Sequence, residues 1–198
     1  MEVRYAVLWA LPDGWVAFEL FQPDVEERIE AHIRDLWASA GLDPAGADEL
    51  VATQVEVAGR ARDAGVLLMA GSAHGAGTPE KPLSAVSLTL ALRPLEEGGD
   101  PATSSGPGPS PPSNGETSRP DPRPLVLHDP LLCGFVQEIR TGPLLTVEAL
   151  VAHREANLLA ALAVATADPA REDEARTVAR EVADTVAFLP LGTELPSG

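Results

Sequence analysis

The chain has 198 residues, with 14 Lys and Arg against 30 Asp and Glu, a formal charge of −16 and one cysteine, Cys133. That balance argues against a nucleic-acid binder that works by phosphate neutralisation, because binding of this kind releases counterions through basic side chains, and a single thiol excludes an intrachain disulfide framework. No apolar run approaches the ~18 residues of a bilayer crossing, and Met1-Glu2-Val3-Arg4 opens no basic signal-peptide region, so the expectation is a cytoplasmic protein without membrane contact.

Hydrophobic residues make up 44% of the chain but aromatics only 4%, so Ala, Val and Leu must build the core. Val3 to Leu11 reads as a strand. The Pro12-Asp13-Gly14 turn leads to a second strand, Trp15 to Leu20, and the two are expected to pair as a hairpin with Gly14 supplying positive φ. Pro23 marks a helix start. Beyond it Val25, Ile29, Ile33, Leu36, Trp37 and Ala40 recur at helical spacing, while Glu26, Glu27, Glu30, Arg34 and Asp35 take mostly the other side, and Gly41 ends the run. A second helix starts at Asp43-Pro44 or at Asp48 and runs through Leu50, Val51, Gln54, Val57, Ala58 and Ala61 to a stop at Gly65.

Val66 to Ala70 is short and continuously apolar, as in a buried strand, and Gly71 to Pro82 reads as a loop. Strict alternation of Val86, Leu88, Leu90 and Leu92 with Ser87, Thr89, Ala91 and Arg93 then predicts a half-buried strand. From Pro94 to Pro124 the composition changes: 31 residues hold nine Pro, five Gly and five Ser, with Leu95 and Ala102 the sole apolar side chains. So little apolar surface does not offset the entropy of ordering the backbone, so a disordered insertion is expected. Reading the proline runs as an SH3-type ligand is disfavoured, because interleaved Gly and Ser weaken a preformed polyproline helix. Net charge is −7 before this segment, −3 within it and −6 after it, so the acidity belongs to the folded parts.

Phe135 to Arg140, followed by Thr141-Gly142-Pro143, reads as a strand and turn. Over Leu144 to Ala167 propensity and pattern disagree: Ala and Leu favour a helix, whereas alternation of Leu145, Val147, Ala149 and Val151 fits two strands about Glu155-Ala156-Asn157. Asp168-Pro169 caps a last helix with an apolar stripe at Ala175, Val178, Ala179, Val182, Ala183 and Val186. The order of elements gives an α+β fold, an antiparallel or mixed sheet flanked by helices. Residues 1–93 and 125–198 form one domain, interrupted by the insertion at 94–124.

Leu11-Pro12-Asp13-Gly14-Trp15, the Gly65 to Ala70 strand with the Ser84 to Leu90 strand, and Leu162 to Pro169 leading into the final helix give a pattern that resembles the PsbP-like, Mog-like α/β sandwich, including actinobacterial LpqN-type proteins. The resemblance covers most of the chain outside the insertion. It implies a strand before the last helix, which favours strands over Leu144 to Ala167, and a non-enzymatic accessory role as a partner to other proteins.

Chemistry is sparse. His32, His74, His128 and His153 lack the three- or four-residue spacing of a helical metal site and there is no Cys pair, so no metal or cofactor is expected. Gly71 to Thr78 is glycine-rich and polar, but a strand follows it, whereas a phosphate cradle leads into a helix. Within it Ser72 as nucleophile and His74 as base are the weak catalytic candidates, without a local oxyanion donor, third orienting group or Gly-x-Ser-x-Gly elbow. Cys133 reads as a small buried hydrophobe. Acids at Glu26-Glu27 and Glu172-Asp173-Glu174 suit the first turns of helices. Trp15 and Trp37 are candidate interface residues if exposed.

The favoured reading is a non-catalytic interaction or accessory module, of immunity, chaperone or secretion-accessory type, whose acidic surface steers a basic partner protein. The alternatives are a small hydrolase or ligand-binding enzyme using the Gly71 to Thr78 loop, and a structural subunit of a homo-oligomer built on a sheet edge or the Ala-rich face of the last helix.

Overall fold

Period-two alternation dominates the structure, a computed structural model that describes residues 5–74, 84–95, 117–118 and 121–191. The elements run β1 (Tyr5–Leu8), β2 (Val16–Glu19), α1 (Val25–Ser39), α2 (Pro44–Asp63), β3 (Val66–His74), β4 (Ser84–Pro94), β5 (Thr117–Ser118), β6 (Arg123–Leu125), β7 (Leu132–Thr141), β8 (Leu144–His153) and β9 (Leu158–Thr166). A 3-10 turn at Pro169–Arg171, α3 (Glu172–Thr185) and β10 (Ala187–Pro190) complete them.

The main sheet is antiparallel throughout, in the order β2-β3-β4-β9-β8-β7, with β5 and β6 both on the outer edge of β7. Strands from both sides of the Pro-rich segment meet at its centre, where β4 pairs with β9 from Ser87↔Ala165 to Pro94↔Leu158. On one face Leu68, Ala70, Val86, Leu88, Leu90, Val147, Ala149, Leu162 and Val164 form the principal core under Ala175, Val178, Ala179, Val182 and Ala183 of α3. Three alanines on the inner side of α3 bring its axis close to the strands. The opposite face of β2, β3 and β4 is covered by the α1–α2 hairpin, through Leu20, Val25, Ile29, Ile33 and Ala58 packed with Val66 and Ala91.

Two helix starts follow their local signals. Asp43 caps α2 by accepting the Ala45 N–H at 3.1 Å, with Pro44 in the first turn, and Asp168 accepts the Ala170 N–H at 2.9 Å beside Pro169. The segment from Leu144 to Ala167 is two strands joined by a turn at Arg154 to Asn157, where Asn157 takes φ 53°. Helix propensity loses here because β9 lies between β4 and β8, and its backbone groups are satisfied by both ladders at once.

Several expectations are corrected. The Pro12 to Gly14 turn forms, with the Trp15 N–H donated to the Pro12 carbonyl at 3.3 Å, but the strands flanking it do not pair. Instead β1 pairs with β10 and β2 with β3. Tyr5 and Val7 of β1 pack on the α3 side of the sheet, so the turn carries the chain from that layer to the sheet edge. β10 itself leaves no periodic signal in four residues. Gly71 to His74 belong to strand β3 rather than to a loop, because their partners Ser84 to Ser87 extend β4 toward them; residues 75–83 lie outside the described residues.

The Pro-rich segment is also not structureless at its ends. Leu95 is buried with Leu150, Ala152 and Leu159, and β5 and β6 add to the free edge of β7. An edge tolerates Pro122 and Pro124, whose nitrogens carry no hydrogen to donate. β6 approaches closely because of Gly134, where a Cβ would lie 3.0 Å from Leu127 Cδ1 and 3.1 Å from Leu125 Cβ. The predicted disorder of 96–116 and 119–120 falls outside the described residues.

Candidate functional site

The pair singled out by sequence, Ser72 and His74, sits on β3. Ser72 is buried and turned toward α3, where its hydroxyl donates to Glu174 Oε1 at 3.2 Å, and Glu174 also receives Arg171 at 3.1 Å. A serine engaged by a carboxylate in this way ties the sheet to the first turn of α3.

The residues that do converge lie on the other face. Between the α1–α2 hairpin and β2, β3 and β4 is a cleft of about 290 Å³. Ile29, Ile33 and Leu36 face it from α1, Leu50 from α2, and Phe18 and Met69 from the sheet. Helical spacing aligns the first three on one stripe, while strand alternation turns Phe18 and Met69 to the same side, where they pair across the ladder. No Asp, Glu, Lys or Arg is among its described lining residues.

Besides Ser72, Ser84 and Ser87 of the sheet, two half-buried polar side chains of the hairpin line this wall, His32 of α1 and Gln54 of α2. His32 packs its ring on Phe18, centroids 5.7 Å apart, and neither side chain is hydrogen-bonded by a described residue. In the sequence His32 stood out only as one of four histidines without metal-site spacing. Its position three residues after Ile29 and four before Leu36, at the margin of the apolar stripe, is the signal that would have found it.

Trp37, expected as an interface residue, is half-buried and lines the cleft. Its Nε1–H donates to the Asp43 carbonyl at 2.7 Å, and its ring lies against Gly46, where an added Cβ would come within 2.8 Å of Cζ2. The Nε1–Cζ2 edge of the indole is therefore held by the start of α2. Trp15, the other proposed interface residue, is half-buried against the core under α3 and is not part of the cleft.

The outer surface of the same hairpin is strongly acidic. Residues 24–63 hold ten carboxylates and four arginines, a balance of −6. All four arginines are engaged: Arg34 with Glu30 and Asp48, Arg60 with Glu56, Arg62 with Glu26, and Arg28 with the Ala17 carbonyl. Asp24, Glu27, Asp35, Glu49 and Asp63 have no described side-chain ion pair and face solvent.

A second concentration of charge fixes α3. Arg176 reaches Glu138 of β7 at 3.2 Å, Glu172 at 3.1 Å and Asp173 at 2.9 Å, while Glu172 also receives Arg140 at 2.8 Å. The hydrogen bond from Arg140 is the main cause that holds the Glu172 carboxyl below its ordinary range, against partial desolvation and with help from Arg176. The remaining histidines lie apart. His153 is buried between Tyr5 and Phe188 with Nδ1 accepting the Ala156 N–H, and His128 pairs with Asp184 at the surface.

Cys133 is half-buried beside the Ala152 carbonyl. The Ala-rich side of α3, considered above as an oligomer contact, is buried against the sheet within the chain. Among the described residues no group of three or more His, Cys, Asp or Glu is placed to hold a metal, and no described helix is long and apolar enough to cross a membrane. No family model matches this chain, and no curated protein matches its sequence.

Proposed function

We propose that this protein is a non-catalytic binding module that engages a basic partner protein through the outer surface of its α1–α2 hairpin, acting in the cytoplasm. The observation that carries the reading is the commitment of every hairpin arginine to an internal contact, which leaves the unpaired carboxylates as the outward field. Charge arranged this way accelerates encounter with a basic surface and disfavours nucleic acid and anionic lipid. The resemblance of the sequence pattern to PsbP-like, Mog-like sandwiches, whose better-known members act as partners to other proteins, supports the same role.

The test is binding measured against ionic strength. A partner captured at low salt and then purified should bind with an association rate that falls steeply as salt rises, since exposed charges are screened beyond ~10 Å at 0.1 M. The double variant Asp35→Lys with Glu49→Lys, both exposed, should slow association by about tenfold or more and leave folding intact. Association insensitive to both salt and charge reversal refutes the reading.

A further inference from the structure

We propose that the cleft beneath the hairpin is a binding site for a small, uncharged, mainly apolar molecule of about two fused rings, oriented by His32 and Gln54. This site is separate from the outer acidic surface and does not depend on the partner proposed above.

Size comes first. An engineered apolar cavity of ~150 Å³ in another protein takes up benzene. At about 290 Å³ this cleft is roughly twice that, which suits a bicyclic ligand and is too small for a long acyl chain. Charge comes second. With no described Asp, Glu, Lys or Arg in the wall, a charged ligand would lose its hydration without an ionic partner. The carboxylates on the outer side of α1 and α2 add a field that opposes anions in particular.

The third point is the pair of polar side chains that the hairpin contributes. A ligand pocket combines an apolar wall with a few polar groups that set orientation. His32 and Gln54 fill that description, because both are half-buried in the wall and neither is hydrogen-bonded by a described residue. Gln54 offers a donor and an acceptor, and the His32 ring offers either according to its tautomer. The site is also pre-formed on one side, since Trp37 is held by the Asp43 carbonyl and by contact with Gly46. Ordering is therefore largely complete before a ligand arrives.

Three probes of one shape separate these claims: naphthalene, 2-naphthol and 2-naphthoate, titrated into the full chain and followed by amide chemical-shift changes. 2-Naphthol should bind one-to-one with shifts confined to α1, α2 and the β2–β4 strands, and 2-naphthoate should bind at least about tenfold more weakly. Gln54→Leu and His32→Leu should each weaken 2-naphthol about fivefold to tenfold and leave naphthalene unchanged. Leu50→Trp should fill the cleft and abolish binding of both; if it does not fold, the Gln54 and His32 variants decide alone.

Binding of 2-naphthol should be unaffected by salt and by the Asp35→Lys, Glu49→Lys substitutions, which separates this outcome from that of the partner reading. Absence of saturable binding, shifts centred elsewhere, or equal affinity for the naphthoate overturns the proposal.

Discussion

Two glycines of one helix provide a test of the cleft architecture, because the same substitution should act with opposite sign at each. Gly59 lies in the interior of α2 and an added Cβ would meet nothing within 4 Å. Gly59→Ala therefore gains helix propensity alone, up to about 1 kcal/mol. At Gly46, in the first turn, the Cβ would fall 2.8 Å from Trp37 Cζ2 and 3.3 Å from Cε2, well inside van der Waals contact. Trp37 cannot move aside freely, since the 2.7 Å hydrogen bond from Nε1 to the Asp43 carbonyl holds this same edge of the ring in place. Overpacking of this kind costs about 1–3 kcal/mol, and loss of the hydrogen bond about 1 more. The propensity gain is smaller than their sum, so Gly46→Ala should destabilise by about 1–3 kcal/mol net.

Urea unfolding monitored by circular dichroism measures both, with the midpoint moving up for Gly59→Ala and down for Gly46→Ala at constant slope. A shift in Trp fluorescence should accompany the Gly46 variant only. Stabilisation by both substitutions would show that Trp37 does not rest on Gly46, and the pre-formed wall of the cleft would be withdrawn with it.

Two further predictions concern the frame. Glu172 titrates lower in the folded protein than in the unfolded chain, so its ion pairs contribute fully above the unfolded carboxyl value of about 4.3 and are lost as pH falls through the lower folded value. Glu172→Gln should accordingly show a shallower decline of urea midpoint between about pH 5 and pH 3 than the parent, and parallel declines would exclude the role assigned to this carboxylate. Asn157 sits at φ 53° in the β8–β9 turn, and its carbonyl accepts the Leu95 N–H at 2.9 Å. Asn157→Val should cost about 1–2 kcal/mol in thermal unfolding, whereas Asn157→Gly should be near neutral; equal effects would mean that left-handed backbone is not required there.

The candidate site was less legible in the sequence than the frame. Ile29, Ile33 and Leu36 announced a buried stripe through their spacing, but a stripe does not say whether its far side is filled or left open. That depends on the separation of α1 from Met69 and Phe18, which no local pattern encodes. Ser72 and His74 stood out because glycines and polar groups cluster around them, and the register of β3 against β4 turned Ser72 instead toward Glu174. The partner of Arg176 on β7, Glu138, lies 38 positions away in sequence. An ion pair over that separation follows from α3 lying across β8 and β9, within reach of the neighbouring β7, and from nothing local to either residue.

Sequence alone determined the acidity, the two helices of the hairpin with their stops at Gly41 and Gly65, the alternating strand at Val86 to Leu92 and the final helix, because turns and hydrophobic periods act over a few residues. It also located the uncertain stretch from Leu144 to Ala167 without resolving it by residue preference. Tertiary structure decided that stretch, because a central strand must satisfy its backbone on both sides and β4 and β8 supply the partners. Tertiary structure likewise separated β1 from β2, paired β1 with β10 across nearly the whole chain, and left between helix and sheet the space that the proposed ligand would occupy. Pairings of that kind are settled by the sum of burial over three layers, a quantity that exists only once the layers have come together.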